Sequence, residues 1–270
     1  MPYLKFDRDR LLIKPLSKRK NKVYIEKDHV PFTQKPNNNS EHFLSTVEDV
    51  SKRIKGARDK KAPVMLTFGA HTIKNGMGPT LIKLMEDGWV THLATNGAAI
   101  IHDWEFSYLG QSSEDVKANV QKGEFGTWEE TGRYINLALV VGAYEGKGYG
   151  EAVGSMIQND GLMIPSQEEI YGVIESYKTN NLETVAASVD LLDTIRKFDL
   201  KPGWLSIPFP YKKYCVQAAA YRLGIPFTGH PMIGHDIIYT HPLNHGAALG
   251  RAALRDFLTF AESVNRLEGG

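Results

Sequence analysis

Two stretches in the first half of the chain switch from a strand pattern to a helix pattern. PVMLTF (63–68) and WVTHLAT (89–95) are short apolar runs, and each breaks into a small-residue turn before a helical pattern resumes. Ahead of them, Phe43, Val47, Val50 and Ile54 recur at three- and four-residue spacing and predict a helix over 41–58. Leu81, Ile82, Leu84 and Met85 predict a helix over 78–87, which Gly88 ends. Further helices are expected over 102–109, 127–143, 149–159, 184–197, 211–223 and 247–266. Another is expected at SSEDV, with Ser112 or Ser113 as its cap. A third strand, IPFT (225–228), follows the stop at Gly224. Strands alternating with helices predict an α/β fold: a doubly wound, mainly parallel, Rossmann-like sheet with helices on both faces. No internal repeat is visible.

Residues 1–40 lack this pattern. They are basic, carry prolines and end in an asparagine run, which predicts an extended N-terminal arm that is solvated or docked on a neighbour. Its apolar anchors are few beyond Leu11, Leu12 and Ile13, and Lys18, Arg19, Lys20 and Lys22 are read as a solvated face rather than a phosphate site. Residues 41–270 then form one domain. The chain stops at LEGG directly after a helix, where a strand normally follows, so the sheet is expected to lack its last strand. A hydrophobic fraction of 42% and a net charge of +1 are ordinary, with no global field toward nucleic acid or membrane. No apolar run approaches the roughly 20 residues that span a bilayer. The charged start MPYLKFDRDR does not suit a signal peptide, and the single Cys215 excludes an internal disulfide. A soluble cytoplasmic protein with a small-molecule ligand is expected.

The chemistry-bearing residues gather in turns. FGAHTIKNGMGP carries His71, Lys74 and Asn75; the turn after the second strand carries Asn96, His102, Asp103 and Glu105. In a parallel sheet both turns lie at the carboxyl ends of strands, where ligands bind. Asp103 complements the positive end of the helix it opens, whereas His102 in that field is disfavoured as a cation and is therefore a neutral imidazole suited to base chemistry. Lys74 could meet a phosphate, act as a nucleophilic amine, or simply be solvated. His230, His235, His241 and His245 crowd into GHPMIGHDIIYTHPLNHG, and His235 stands beside Asp236. Three readings of the cluster stay open: a metal site, for which HxxxH and HxH spacings are lacking; acid–base or ligand-binding groups; and backbone caps. The glycine-rich run at 144–154 lacks the spacing of a phosphate loop and reads as a connection. His71, Asn96, His102, His235 and Asp236 are expected to line one cleft, with Gly97 and Ala98 admitting a ligand to the backbone.

The runs FGAHTIKNGMGPTLIKLMEDGWVTHLATNGAAIIHD and RLGIPFTGHPMIGHDIIYTHP resemble the deoxyhypusine synthase family, over about residues 60–110 and 205–242. The resemblance implies NAD as cofactor and a homotetramer with active sites shared between subunits. Ala70 and His71 fall where the family has a Ser-Asn that meets the cofactor. Asn96, Gly97 and Ala98 fall on its Thr-Ala-Gly turn, and Asp236 on an aspartate of its polyamine pocket. With Lys74 added, Ala70, His71, Asn96, Gly97 and Ala98 make the implied cofactor set; His102, His235 and Asp236 make the catalytic set. The departures are specific. Ile101 and His102 replace the family's paired glutamates, and neither its Trp-Gly-Lys motif nor its Gly-Gly-Gly loop occurs. Imidazoles do not bind ammonium groups as carboxylates do. The implied function is therefore a divergent NAD- or nucleotide-binding transferase or oxidoreductase acting on another small molecule. The alternative is a non-catalytic binding or assembly protein that keeps the fold.

Overall fold

The described residues of this chain form three small sheets, and short apolar runs build the central one. The computed structural model describes residues 3–37 and 40–267; Asn38 and Asn39 of the asparagine run, and the last residues of the LEGG end, lie outside the described residues. The strands are β1 (Asn21–Tyr24), β2 (Met65–Phe68), β3 (His92–Asn96), β4 (Gln111–Glu114), β5 (Gly161–Ile164), β6 (Gly203–Ser206) and β7 (Phe227–His230). The three apolar runs read as strands form one parallel sheet in the order β2-β3-β7. β1 pairs antiparallel with β4, and β5 with β6. The fold is α/β.

β3 is central because both of its faces can be buried: His92, Leu93, Ala94 and Thr95 are all shielded from solvent. Leu93 and Phe227 are paired in register, as are Thr95 and Gly229, so these four share a face. A Cβ on Gly229 would lie 2.2 Å from Ile100 and 3.3 Å from the Tyr149 ring, which places the helices Gly97–Leu109 and Tyr149–Asn159 on that face. His92, Thr228 and His230 point the other way. There Phe260 and Ser263 of the helix Gly246–Asn265 meet the two imidazoles. Helices thus cover both faces. The helix Glu129–Tyr144 is deeply set, with Ile135, Leu137, Leu139 and Val141 all buried.

Three local expectations need correction. Ser112 and Ser113 do not cap a helix; they lie in β4, and the next helix, Val116–Gln121, is capped by Asp115, whose carboxylate accepts from the Ala118 N–H at 3.1 Å. The serines are drawn into a ladder with β1, a partner remote in sequence. The helix after β3 begins at Gly97 rather than His102, because the Asn96 side chain accepts the Ala99 N–H at 3.0 Å. The arm, finally, is firmly anchored on its own body. Leu16 and Ile25 are fully buried, while Leu12 is exposed. Arg8 donates to the carbonyls of Tyr239, His241 and Asn244.

Candidate active site

The turn from β3 into the helix Gly97–Leu109 builds one wall of the site. Asn96 caps the helix, and Gly97 then lies against the carboxylate of Asp236, which the chain delivers from the turn after β7. A Cβ at position 97 would stand 2.2 Å from Asp236 Oδ2, so only glycine admits this contact. The carboxylate gains from the positive end of the helix dipole. Burial nevertheless pushes its pKa up, against the opposing pull of a backbone N–H at Met232 and of the neighbouring His235. Among the described residues, Oδ2 of Asp236 is buried without a hydrogen-bond partner, as are the hydroxyls of Tyr149 and Tyr239. Burial, and then the charge of Asp236, raise the pKa of both phenols, that of Tyr239 to about 12.

His102 lies one turn along the same helix. Its Nδ1 is 2.7 Å from Ser112 Oγ, and that hydroxyl donates at 2.6 Å to Glu105 Oε2. Both Glu105 oxygens also accept from Arg19, at 2.7 Å each, and Thr131 donates to Oε1. Burial alone would raise the Glu105 pKa, but the Arg19 charge and its hydrogen bonds hold it below the usual range. Glu105 is therefore ionised and can only accept. Ser112 has one proton and gives it to Glu105, so it must accept from His102. The tautomer follows: Nδ1 carries the hydrogen and Nε2 keeps its lone pair. Burial pushes the His102 pKa down, outweighing the upward pull of Glu105, so the imidazole is neutral at pH 7.

His102, Asp236, Lys74, Ala98 and His235 line a common cavity of about 270 Å³, together with Arg19, Glu105, Ser113 and Glu114. The structure thus gathers residues from the turn after β2, the turn after β3 and the turn after β7. Lys74 is half-buried and makes no ion pair or hydrogen bond among the described residues. His235 is exposed at the rim. Ser113 holds a left-handed backbone (φ 72°) in this wall, a strained conformation for a residue with a Cβ.

Other candidates go elsewhere. His71 is exposed on the short helix Ala70–Lys74, near enough to His102 to depress its pKa slightly but not lining the cavity. Ala70 packs at the edge of the core. Asn96 lines a separate recess with Thr67, His230 and Phe257. His241 accepts from the Leu243 N–H through Nδ1 and reaches Glu129 through Nε2. His245 caps the helix Gly246–Asn265, and His230 packs on Phe260. Of the clustered histidines, His235 alone faces the cavity. Asp103 does not serve its own helix; it accepts the N–H groups of Val216 and Gln217 and so caps Val216–Leu223. The glycine-rich run ends in the helix Tyr149–Asn159, where the Asp256 carboxylate accepts the Gly150 N–H at 2.9 Å. Among the described residues no group of three or more His, Cys, Asp or Glu could hold a metal ion.

Sequence reasoning missed Arg19, Ser112 and Glu114. A basic cluster and a polar loop give no local sign that one guanidinium or one hydroxyl is buried.

No family model matches the chain, and no curated protein matches it. A conserved protein from Methanococcus maripaludis S2, bearing the provisional name LOR/SDH, is similar in structure with a TM-score of 0.33 and 12% identity. The match covers 90% of this chain and 53% of that one, so this chain spans about half the length of that protein. Likeness at this level carries no argument about function.

Proposed function

We propose that the chain is an enzyme acting on a small molecule, a divergent relative of the deoxyhypusine synthases, in which His102 is the general base. One observation carries this reading: a neutral imidazole, its Nδ1–H fixed by the buried Ser112–Glu105–Arg19 relay, lines a cavity with Nε2 free to accept a proton. The Asp236 carboxylate and the Lys74 ammonium would hold the substrate beside it, and His235 would close the rim. The parallel order of the central sheet and its two-sided helical cover support a doubly wound, Rossmann-like architecture.

The resemblance implies NAD, and the turn at Gly97 tests it. A dinucleotide sets its diphosphate against such a glycine at a helix N-terminus. Here the Asp236 carboxylate already occupies that contact. Anion would face anion, so these residues do not fit a diphosphate; Lys74 and Ala98 line the substrate cavity instead, while Gly97 is covered by Asp236. An NAD-induced rise in melting temperature would overturn this point, since ligand at about a hundred times its Kd adds roughly 2.7 kcal/mol.

Native mass spectrometry should find a small molecule retained by the purified protein. His102→Ala should lower its turnover about 10²–10⁴-fold while the fold persists, the range for loss of a general base. Undiminished turnover in His102→Ala refutes the proposal.

Self-association is supported by exposed apolar side chains on two helices: Leu44, Val47 and Val50 on Glu41–Asp59, and Leu254, Phe257 and Leu258 on Gly246–Asn265. The tetramer is the state that the resemblance implies. Sedimentation should show an oligomer that Val47→Lys with Phe257→Lys dissociates. A monomeric parent chain would remove this reading.

A further inference from the structure

The His102 cavity holds charges of both signs that the protein itself leaves unneutralised. Arg19 and Glu105 cancel each other. What remains is the Lys74 ammonium, with no ion pair among the described residues, and two carboxylates, Asp236 and Glu114, which are 8% and 9% exposed. Glu114 Oε2 is met only by neutral donors, Asn119 Nδ2 at 2.7 Å and Trp128 Nε1 at 3.1 Å. Asp236 Oδ2 has no hydrogen-bond partner among the described residues. Buried carboxylates without a cation are costly, and a ligand that brings one is bound with corresponding advantage. Ile101, Val116, Phe125 and Ile237 add an apolar wall.

We propose that this cavity binds a short aliphatic zwitterion, with an ammonium group and a carboxylate joined by a few carbons. Asp236 and Glu114 take the ammonium, Lys74 takes the carboxylate, and the apolar wall takes the methylenes. A dication would leave Lys74 facing like charge. A simple carboxylate would leave both acidic residues uncompensated. The inference deepens the proposed function and rests on the same cavity being the substrate site.

A matched set of probes separates these cases on the full chain: 4-aminobutanoate, 1,4-diaminobutane and butanoate, with 6-aminohexanoate as the longer zwitterion. Calorimetry and thermal melting should show binding of at least one zwitterion, with the diamine and the simple acid weaker by about tenfold or more. Lys74→Met and Asp236→Asn should each weaken the zwitterion by a similar factor. Should Asp236→Asn fail to fold by circular dichroism, Glu114→Gln makes the same measurement. Failure of both zwitterions to bind, equal affinity for the diamine, or unchanged affinity in Lys74→Met overturns the proposal. The base role fails separately. A retained molecule that is not a zwitterion, yet turns over in a His102-dependent way, overturns only the ligand class. Zwitterion binding with turnover indifferent to His102→Ala overturns only the base.

Discussion

Arg19 closes the relay that fixes His102, and its energetic weight lies in what its loss leaves behind. Arg19 and Glu105 side chains are each 2% exposed. Such a pair adds little net stability over an apolar substitute, but removing one partner strands a buried charge. Arg19→Met is therefore expected to cost about 3–5 kcal/mol in urea denaturation. A loss under about 1 kcal/mol, the worth of a surface pair, would show that Glu105 is hydrated. Gly97 makes the complementary case through space rather than charge. Gly97→Ala pushes a methyl into the Asp236 carboxylate and is expected to cost about 1–3 kcal/mol. Asp236→Ala should relieve that clash, so the double mutant should be more stable than the two single effects predict. Simple additivity would mean that the two residues do not touch.

Helix ends, more than helix centres, decide how the elements join. Asp103 lies mid-helix yet caps a different helix, accepting from Val216 N at 3.1 Å and Gln217 N at 2.9 Å. Asp103→Ala should destabilise the protein by about 1–2 kcal/mol, with hydrogen exchange quickening first in Val216–Leu223. Unchanged exchange there would refute this role. This is also where sequence reading reached its limit. The helix over 41–58 was legible from its Phe43–Ile54 spacing, and β2, β3 and β7 from their apolar runs, because those signals are local. β4 was not, since QSSE becomes a strand only when β1 of the arm lies beside it. β5 and β6 were not legible either, since each becomes a strand only by pairing with the other across the helical chain between them. The site divides the same way. His102, His235, Asp236 and Lys74 stand in turns at strand ends, which topology brings to one cavity. Arg19, Ser112 and Glu114 join them through the β1–β4 pairing, which no local pattern announces. The same spacing that made Glu41–Asp59 legible as a helix does not say what its stripe packs against, and Val47 and Val50 are exposed on this chain.

Across the whole molecule, two buried groups on the central sheet oppose each other in pH. Asp256 joins three elements: it lies on Gly246–Asn265 and accepts N–H groups from Gly150 at the start of Tyr149–Asn159 and from Gly229 in β7. Burial raises its pKa from 3.8 to about 7, against those N–H donors. His92 bridges β3, β7 and the same last helix through Thr228 and Ser263. Burial, and then His230, lower its pKa from 6.5 to about 4. Between about pH 4 and 7 native Asp256 keeps a proton that the unfolded chain has lost, so its contribution falls as pH rises. From about pH 6.5 down to 4 the unfolded chain gains a proton at His92 that the native protein refuses, so that contribution falls as pH falls. The two slopes, each at most about 1.4 kcal/mol per pH unit, cancel over most of their range. Asp256→Asn should expose the His92 slope, with stability rising more steeply than in the parent from about pH 4 to 6.5. His92→Gln should expose the opposite slope over the same interval. Urea denaturation of both variants and the parent across that interval makes the comparison. Profiles parallel to the parent in both variants would mean that neither group is shifted, and that the layers around the sheet admit water at His92 and Asp256.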